Sequence, residues 1–202
     1  MRLQNQHLER KRQSSCIGHT LFTQNELAGL RIEQFDRSRH DRAAFSCGVS
    51  RLDNFLRLSA KKQQKDDMTR VYVVVTNGES RILGYHAINL GLMNVDLLEK
   101  RPRNAAAHGE LPVLFVGQVA VSNQFQGRGI GSILIAQVFA KAVAIADQAG
   151  CFALVLDVMS DGGDEAFGKR KNGYRSFGFQ EFSSNSARLF MTMKQVRLSL
   201  NL

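Results

Sequence analysis

A chain of 202 residues with 44% hydrophobic content suits one α/β domain with a full core. It has no run of about 18 apolar residues, which excludes a membrane span, and its basic start (Arg2, Arg10, Lys11, Arg12) lacks the apolar stretch of a secretory signal, so a cytoplasmic protein is expected. The three cysteines (Cys16, Cys47, Cys151) are odd in number and far apart, which argues against a disulfide framework or a metal site, while the net charge of +9 favours an anionic partner, nucleic acid or an acidic protein.

Residues 1–29 are polar, basic and poorly periodic, and read as a flexible extension; residues 30–202 hold the domain. A short strand is expected at 30–35. Phe45-Ser46-Cys47-Gly48 leads into a helix, with Ser50 as its cap and Asp53 completing an acidic version of the capping box. Leu52, Phe55, Leu56 and Ala60 give that helix an apolar face, and the polar stretch 61–67 closes it. The β-branched run 71–75, the turn signal Asn77-Gly78 and residues 82–90 predict a hairpin. Residues 91–114 read as a long loop carrying Pro102, Pro112 and the basic Lys100, Arg101 and Arg103.

A strand at 114–121, a polar turn at 122–126 and the segment Gln126-Gly127-Arg128-Gly129-Ile130-Gly131 follow, opening a long helix to Ala149 with Gly150 just past its end. The helix carries Ile130, Ile133, Leu134, Val138, Ala142 and Ile145 on one stripe, suited to packing on a sheet. A buried-type strand is expected at 152–158. A glycine-containing loop and a basic helical segment come next, then Phe177-Gly178-Phe179, and residues 189–196 read as the last strand.

The order strand, turn, glycines, helix has chemical content. It presents backbone N–H groups at a helix N-terminus, where the macrodipole favours an anion, and glycine lets a phosphate approach without a Cβ in the way. A bound pyrophosphate is the functional reading; a tight helix entry without a ligand is the plain one. A P-loop requires Lys-Ser/Thr after its last glycine, and Ser132-Ile133 stands there instead. A dinucleotide fingerprint requires a glycine where Ser132 stands, although Asp157 could mimic its ribose-binding acid.

The pattern Gln-x-x-Gly-x-Gly resembles the acetyl-CoA pyrophosphate loop of the GCN5-related N-acetyltransferase (GNAT) superfamily. Val116-Gly117-Gln118-Val119-Ala120-Val121 is similar to the strand before that loop, and Tyr174-Arg175-Ser176-Phe177-Gly178-Phe179 to the family's tyrosine and Gly-Phe ending. Phe45, Cys47-Gly48, Leu52-Asp53, Phe55-Leu56 and Ala60, with Arg70-Val71-Tyr72-Val73 and Gly84-Tyr85-His86, resemble the toxins of bacterial toxin–antitoxin pairs that acetylate aminoacyl-tRNA. The resemblance covers residues 30–196. It implies a single α/β domain with a mixed sheet of about six to seven strands and about four helices.

For the site, the resemblance implies acetyl-CoA as co-substrate and no metal. The backbone of Val119, Ala120 and Val121 would pair with the pantetheine arm, and Gln126, Gly127, Arg128, Gly129, Ile130, Gly131 and Ser132 would hold the pyrophosphate. Tyr174 would donate a proton to the departing sulfur, a phenol near pKa ~10 serving a thiol near ~8.5. Lys169, Arg170, Lys171 and Arg175 would hold a tRNA acceptor end through its phosphates; a solvated basic helix face is the plainer reading. The expected partners are aminoacyl-tRNA and a small ribbon-helix-helix antitoxin, with a homodimer left open. Acetylation of a small or protein amine and non-catalytic acyl-CoA binding stand as alternatives. His86 and Glu110 are conceivable but unconvincing bases. An α-amine, with pKa about 8 against about 10.4 for lysine, needs a base least.

Overall fold

The computed structural model describes residues 28–99, 109–183 and 185–202. The basic extension up to residue 27, Cys16, and Lys100, Arg101, Pro102 and Arg103 lie outside the described residues.

Seven strands form one mixed sheet in the order β1-β2-β3-β4-β5-β7-β6. The strands are β1 (Leu30–Gln34), β2 (Arg70–Thr76), β3 (Ile82–Asn94), β4 (Glu110–Val121), β5 (Ala153–Asp157), β6 (Gln180–Phe182) and β7 (Asn185–Thr192). Among the described residues four helices accompany them: α1, α2 (Ile130–Ala149), α3 (Gly163–Ser176) and α4 (Met193–Ser199). Helix α1 is continuous through three stretches, Ser50–Asn54, a π-turn at Phe55–Ser59, and Ala60–Lys65. β4 and β5 run parallel, which the crossover through α2 makes possible; β1 to β4 are antiparallel neighbours, as are β5, β7 and β6. This order leaves no room for a doubly wound parallel sheet, and the dinucleotide-binding alternative falls with it.

The stripe on α2 packs as its spacing predicts. Leu134, Val138 and Ala142 are wholly buried against the sheet. Helix α2 is nevertheless long and apolar enough to cross a membrane by length and composition. That corrects the sequence-level exclusion; here the stripe is spent on the sheet. Gly84 of β3 marks the tightest approach, since a Cβ there would lie 2.8 Å from Ile130 Cγ2 and 3.0 Å from the Ala120 carbonyl oxygen.

Four local expectations change. Ser50 is not a cap: the helix starts after Val49 with no side-chain cap, and Asp53 turns inward instead. The polar stretch after Ala60 continues α1 to Lys65. The loop expected at 91–114 is shorter, because β3 and β4 pair out to Asn94 and Glu110, carrying Gly91 and Pro112 within the ladder. The last strand ends at Thr192, where the Thr192–Gln195 capping box starts α4; Met193 and Val196 are buried as helix residues.

Candidate active site

The parallel ladder between β4 and β5 stops early. Its register runs from Val113 opposite Ala153 to Val116 opposite Leu156 and goes no further. β4 itself continues to Val121, held on its other side by β3, with Val119 opposite His86 and Val121 opposite Gly84. The register slips between Ala87 and Ile88, so Gly117 is an extra residue on β4. Such a bulge bends its strand, and here it marks where β4 leaves β5. From Gly117 to Val121 the strand has one paired edge and one open edge. Val119, Ala120 and Val121 therefore lie where a substrate chain can continue the sheet, as their assignment requires.

The open edge runs into the glycine segment. Gly127 and Gly129 have φ of +74° and +94°, values that L side chains rarely adopt. Gly129 is the N-cap of α2, and no side chain caps the helix there. The N–H groups of Ile130 and Gly131 thus have no intrahelical acceptor at the positive end of a 20-residue dipole, whereas the Ser132 N–H turns back to the Gly129 carbonyl at 3.1 Å. A Cβ on Gly131 would meet nothing within 4 Å, so packing does not explain that glycine, whereas clearance for a phosphate does. Arg128 lies over the Phe125 ring, 5.8 Å from its centroid. Gln126 acts differently from its assignment. Its side-chain nitrogen donates to the carbonyls of Cys47 and Val121 and to Asn123 Oδ1, each at 3.0 Å, so it braces the loop rather than presenting its amide to a ligand.

Tyr174 projects from α3 onto the cluster that fills the sheet behind the splay. Its ring meets Phe179 edge-on at 6.0 Å, and Val119 borders the same cluster. Burial pushes its phenol up to about 12, against a smaller opposing effect of Arg170. The four cations grouped with it separate. Arg170 donates to the Met159 carbonyl through Nε (3.1 Å) and Nη2 (2.8 Å), and also to the Asp161 carbonyl, pinning the loop after β5. Lys171 and Arg175 pair with Glu181 at 2.7 and 3.5 Å. Lys169 is exposed and has no ion-pair partner among the described residues.

A cleft of about 500 Å³ opens on the other side of the splay. Arg51, Asn54, Phe55 and Leu58 of α1 form one wall; Gly117, Gln118 and Asp157 form the opposite lip. Asp157 accepts both hydrogen bonds of a bidentate Arg188 pair at 2.7 and 2.8 Å, which replaces any ribose-binding role. Below the cleft, Asp53 accepts from the Cys47 N–H (2.8 Å) and the Ser46 hydroxyl (3.0 Å). Burial pushes the Asp53 carboxyl up, but these bonds and the Cys47 thiol outweigh it and hold the group below the usual carboxylate range. The Cys47 thiol itself is pushed up to about 12 by burial and by Asp53, which rules it out as a nucleophile near neutral pH.

A family profile for the acetyltransferase (GNAT) domain matches residues 68–181, more than half of the chain. A protein named Probable toxin TacT from Sinorhizobium fredii is 34% identical over 167 residues, covering 82% of this chain and 92% of its own. The chain belongs to the GNAT acetyltransferase family. A tRNA-acetylating toxin from Mycobacterium tuberculosis is 28% identical over 158 residues, covering 78% of this chain and 89% of its own. The same fold occurs in AtaT complexed with acetyl-methionyl-tRNAfMet, with a TM-score of 0.74, 23% identity and coverage of 85% of this chain and 99% of that one. It also occurs in an AtaT variant bound to acetyl-CoA and the C-terminus of the antitoxin AtaR, with a TM-score of 0.70, 22% identity and coverage of 86% and 99%.

Within this acetyltransferase the residues carrying the subgroup resemblance are mostly structural. Phe45 and Phe55 pack on the buried Tyr85, whose hydroxyl donates to the Leu52 carbonyl at 2.8 Å. His86 is buried, stacked on Tyr72 and bonded to Gln137, and burial lowers it to about 4; it is a core residue rather than a base. Glu110 is exposed at the start of β4. The cleft residues Arg51, Asn54 and Leu58 were missed by sequence reasoning. Their signal was present in the exposed face of α1, opposite its apolar stripe.

Proposed function

We propose that this acetyltransferase uses acetyl-CoA to acetylate the α-amine of an aminoacyl-tRNA, acting as the toxin of a toxin–antitoxin pair. The open edge of β4 running directly into the uncapped start of α2 carries the donor half of the reading. An extended pantetheine arm can pair with Val119, Ala120 and Val121 while its pyrophosphate meets the N–H groups of the segment from Gly127 to Gly131. A backbone N–H near Val119 is suited to hold the thioester oxygen as negative charge develops on it. The residues present fit the co-substrate and require no metal.

Tyr174 is the donor to the departing sulfur. At about 12 its phenol stays protonated across the physiological range. Full transfer to a free thiolate of pKa about 8.5 would cost about 5 kcal/mol at 1.36 kcal/mol per unit, where a phenol at ~10 would cost about 2. Tyr174 therefore serves best as a hydrogen-bond donor that stabilises charge growing on sulfur while the bond is still breaking. The acceptor half rests on the cleft beside Gly117 and on chemistry. Deprotonating an α-amine at pH 7 costs about 1.4 kcal/mol, against about 4.6 for a lysine side chain. With His86 in the core, the site suits the easier amine.

The relatives named as toxins and as tRNA-acetylating support the same acceptor. A small ribbon-helix-helix antitoxin is the expected partner, which co-purification tests, and light scattering decides between monomer and homodimer. The central test incubates the protein with labelled acetyl-CoA and charged tRNA pools. Label is expected on the aminoacyl group of charged tRNA; label only on free amines or proteins would overturn the reading.

A further inference from the structure

The exposed face of α1 forms a continuous line. Arg51, Asn54, Leu58, Lys61 and Lys65 are all exposed and recur at intervals of three to four residues, with the exposed Lys62 beside Lys61. Such neighbours sit about 5–6 Å apart on a helix face, close to the spacing of adjacent phosphates on one strand. The line extends roughly 20 Å at ~1.5 Å per residue. None of its four cations has an ion-pair partner among the described residues. The one carboxylate between residues 50 and 65, Asp53, is buried and engaged by Cys47 and Ser46. Asp66 and Asp67 close the line, and Asp67 is taken up by Arg70.

The two ends of this line are structurally distinct. Arg51, Asn54 and Leu58 line the cleft beside Gly117 and Gln118. Lys61 lines a second groove, of about 790 Å³, together with Arg37 from the loop after β1. Arg37 is exposed and likewise without an ion-pair partner among the described residues, whereas the neighbouring Arg39 pairs with Glu33 at 2.7 Å. Arg51 therefore stands at one end of the cleft wall and Lys61, Lys62 and Lys65 at the other, from which a basic path leads away along α1. Helix α3 differs, because Arg170, Lys171 and Arg175 are already engaged.

We propose that the α1 ridge of Arg51, Lys61, Lys62 and Lys65, continued by Arg37, is the surface that tracks the phosphates of the tRNA acceptor end. The proposal rests on the aminoacyl-tRNA reading above. An aminoacyl-tRNA carries its amine at the tip of a phosphate chain. Once the amine enters the cleft, the phosphates must leave along a basic surface that begins there, and α1 provides it. Lysines spaced along a helix contact phosphates as point charges and read no sequence, so the ridge gives affinity and leaves amino-acid selection to the cleft. An acidic protein segment would meet the same charge, but nothing ties its course to the acceptor cleft.

The test compares wild type, the triple variant Lys61→Gln/Lys62→Gln/Lys65→Gln, the α3 variant Lys169→Gln and the control Lys194→Gln at an exposed lysine of α4. KM for charged tRNA is measured between about 50 and 300 mM salt. Acetylation of an aminoacylated CCA trinucleotide, too short to reach the ridge, is measured in parallel. The triple variant should raise KM for charged tRNA on the order of 10-fold at low salt and reduce the salt slope by about 2–3. It should leave the trinucleotide reaction and the unfolding temperature unchanged, and Lys194→Gln should match wild type. If wild type acetylates charged tRNA but the triple variant keeps its KM and slope, the ridge is not the tRNA surface, including where that variant instead loses an acidic protein partner. If Lys169→Gln has the larger effect, α3 is the tRNA surface. If wild type does not acetylate charged tRNA at all, the function reading fails before the ridge is tested.

Discussion

At the scale of single residues, several polar groups are defined by what they are bonded to rather than by their type. Tyr174→Phe removes the donor to sulfur and keeps the ring on Phe179. Its kcat should fall by about 10²-fold or more, with acetyl-CoA affinity by calorimetry unchanged; an unchanged single-turnover rate would remove Tyr174 from the chemistry. His86 has a lowered pKa of about 4 because it is buried, against 6.5 when unfolded. Between those values the unfolded chain binds the extra proton, so stability is full above pH 6.5 and is lost as pH falls towards 4. The loss approaches about 3 kcal/mol, and burial acts on His40 in the same direction. Urea midpoints measured from pH 7 down to pH 4 should decline across that window, and the His86 ring signals should titrate near its lower end.

At the scale of elements, the site is made where two regular structures come apart. The glycine at the bulge, Gly117, ends the pairing of β4 with β5, and Gly129 starts α2 without a cap. Gln126 ties that turn to Cys47 at the entry to α1, so donor loop and acceptor wall share one brace. Gln126→Leu should cost about 0.5–1.5 kcal/mol of stability in denaturant melts and raise the acetyl-CoA Kd several-fold, because the Cys47 and Val121 carbonyls lose their donor and the loop loses its anchor. Gly84→Ala pushes a methyl against Ile130 and the Ala120 backbone. It should destabilise by about 1–3 kcal/mol through overpacking, and weaker acetyl-CoA binding should accompany the shift in the Tm.

At the scale of the whole molecule, the excess of +9 is less informative than where its charges are already used. On α3 Arg170, Lys171 and Arg175 are drawn into the fold by Glu181 and by the loop after β5, while along α1 Arg51, Lys61, Lys62 and Lys65 remain exposed, beside the cleft proposed for the acceptor. Composition alone could not separate these cases, because an ion pair depends on residues distant in sequence. Glu181 lies beyond the turn that follows Tyr174, and only the return of the chain through β6 brings it against Lys171.

The sequence by itself determined the local elements on which the donor half of the proposed reaction rests. Glycines at Gly127 and Gly129, a β-branched strand before them and an apolar helical stripe after them are local patterns, and local sterics read them directly. It also carried the hairpin of β2 and β3 and the two-sided character of α1. The extent of β3 and β4, the switch from strand to helix at Thr192 and the inward turn of Asp53 required the tertiary structure. Each depends on a partner far along the chain or on a side-chain bond that competes with local propensity. The same holds for the acceptor side. Its cleft exists only because β4 and β5 part beneath α1, and three segments more than 30 residues apart in sequence converge there through the sheet order.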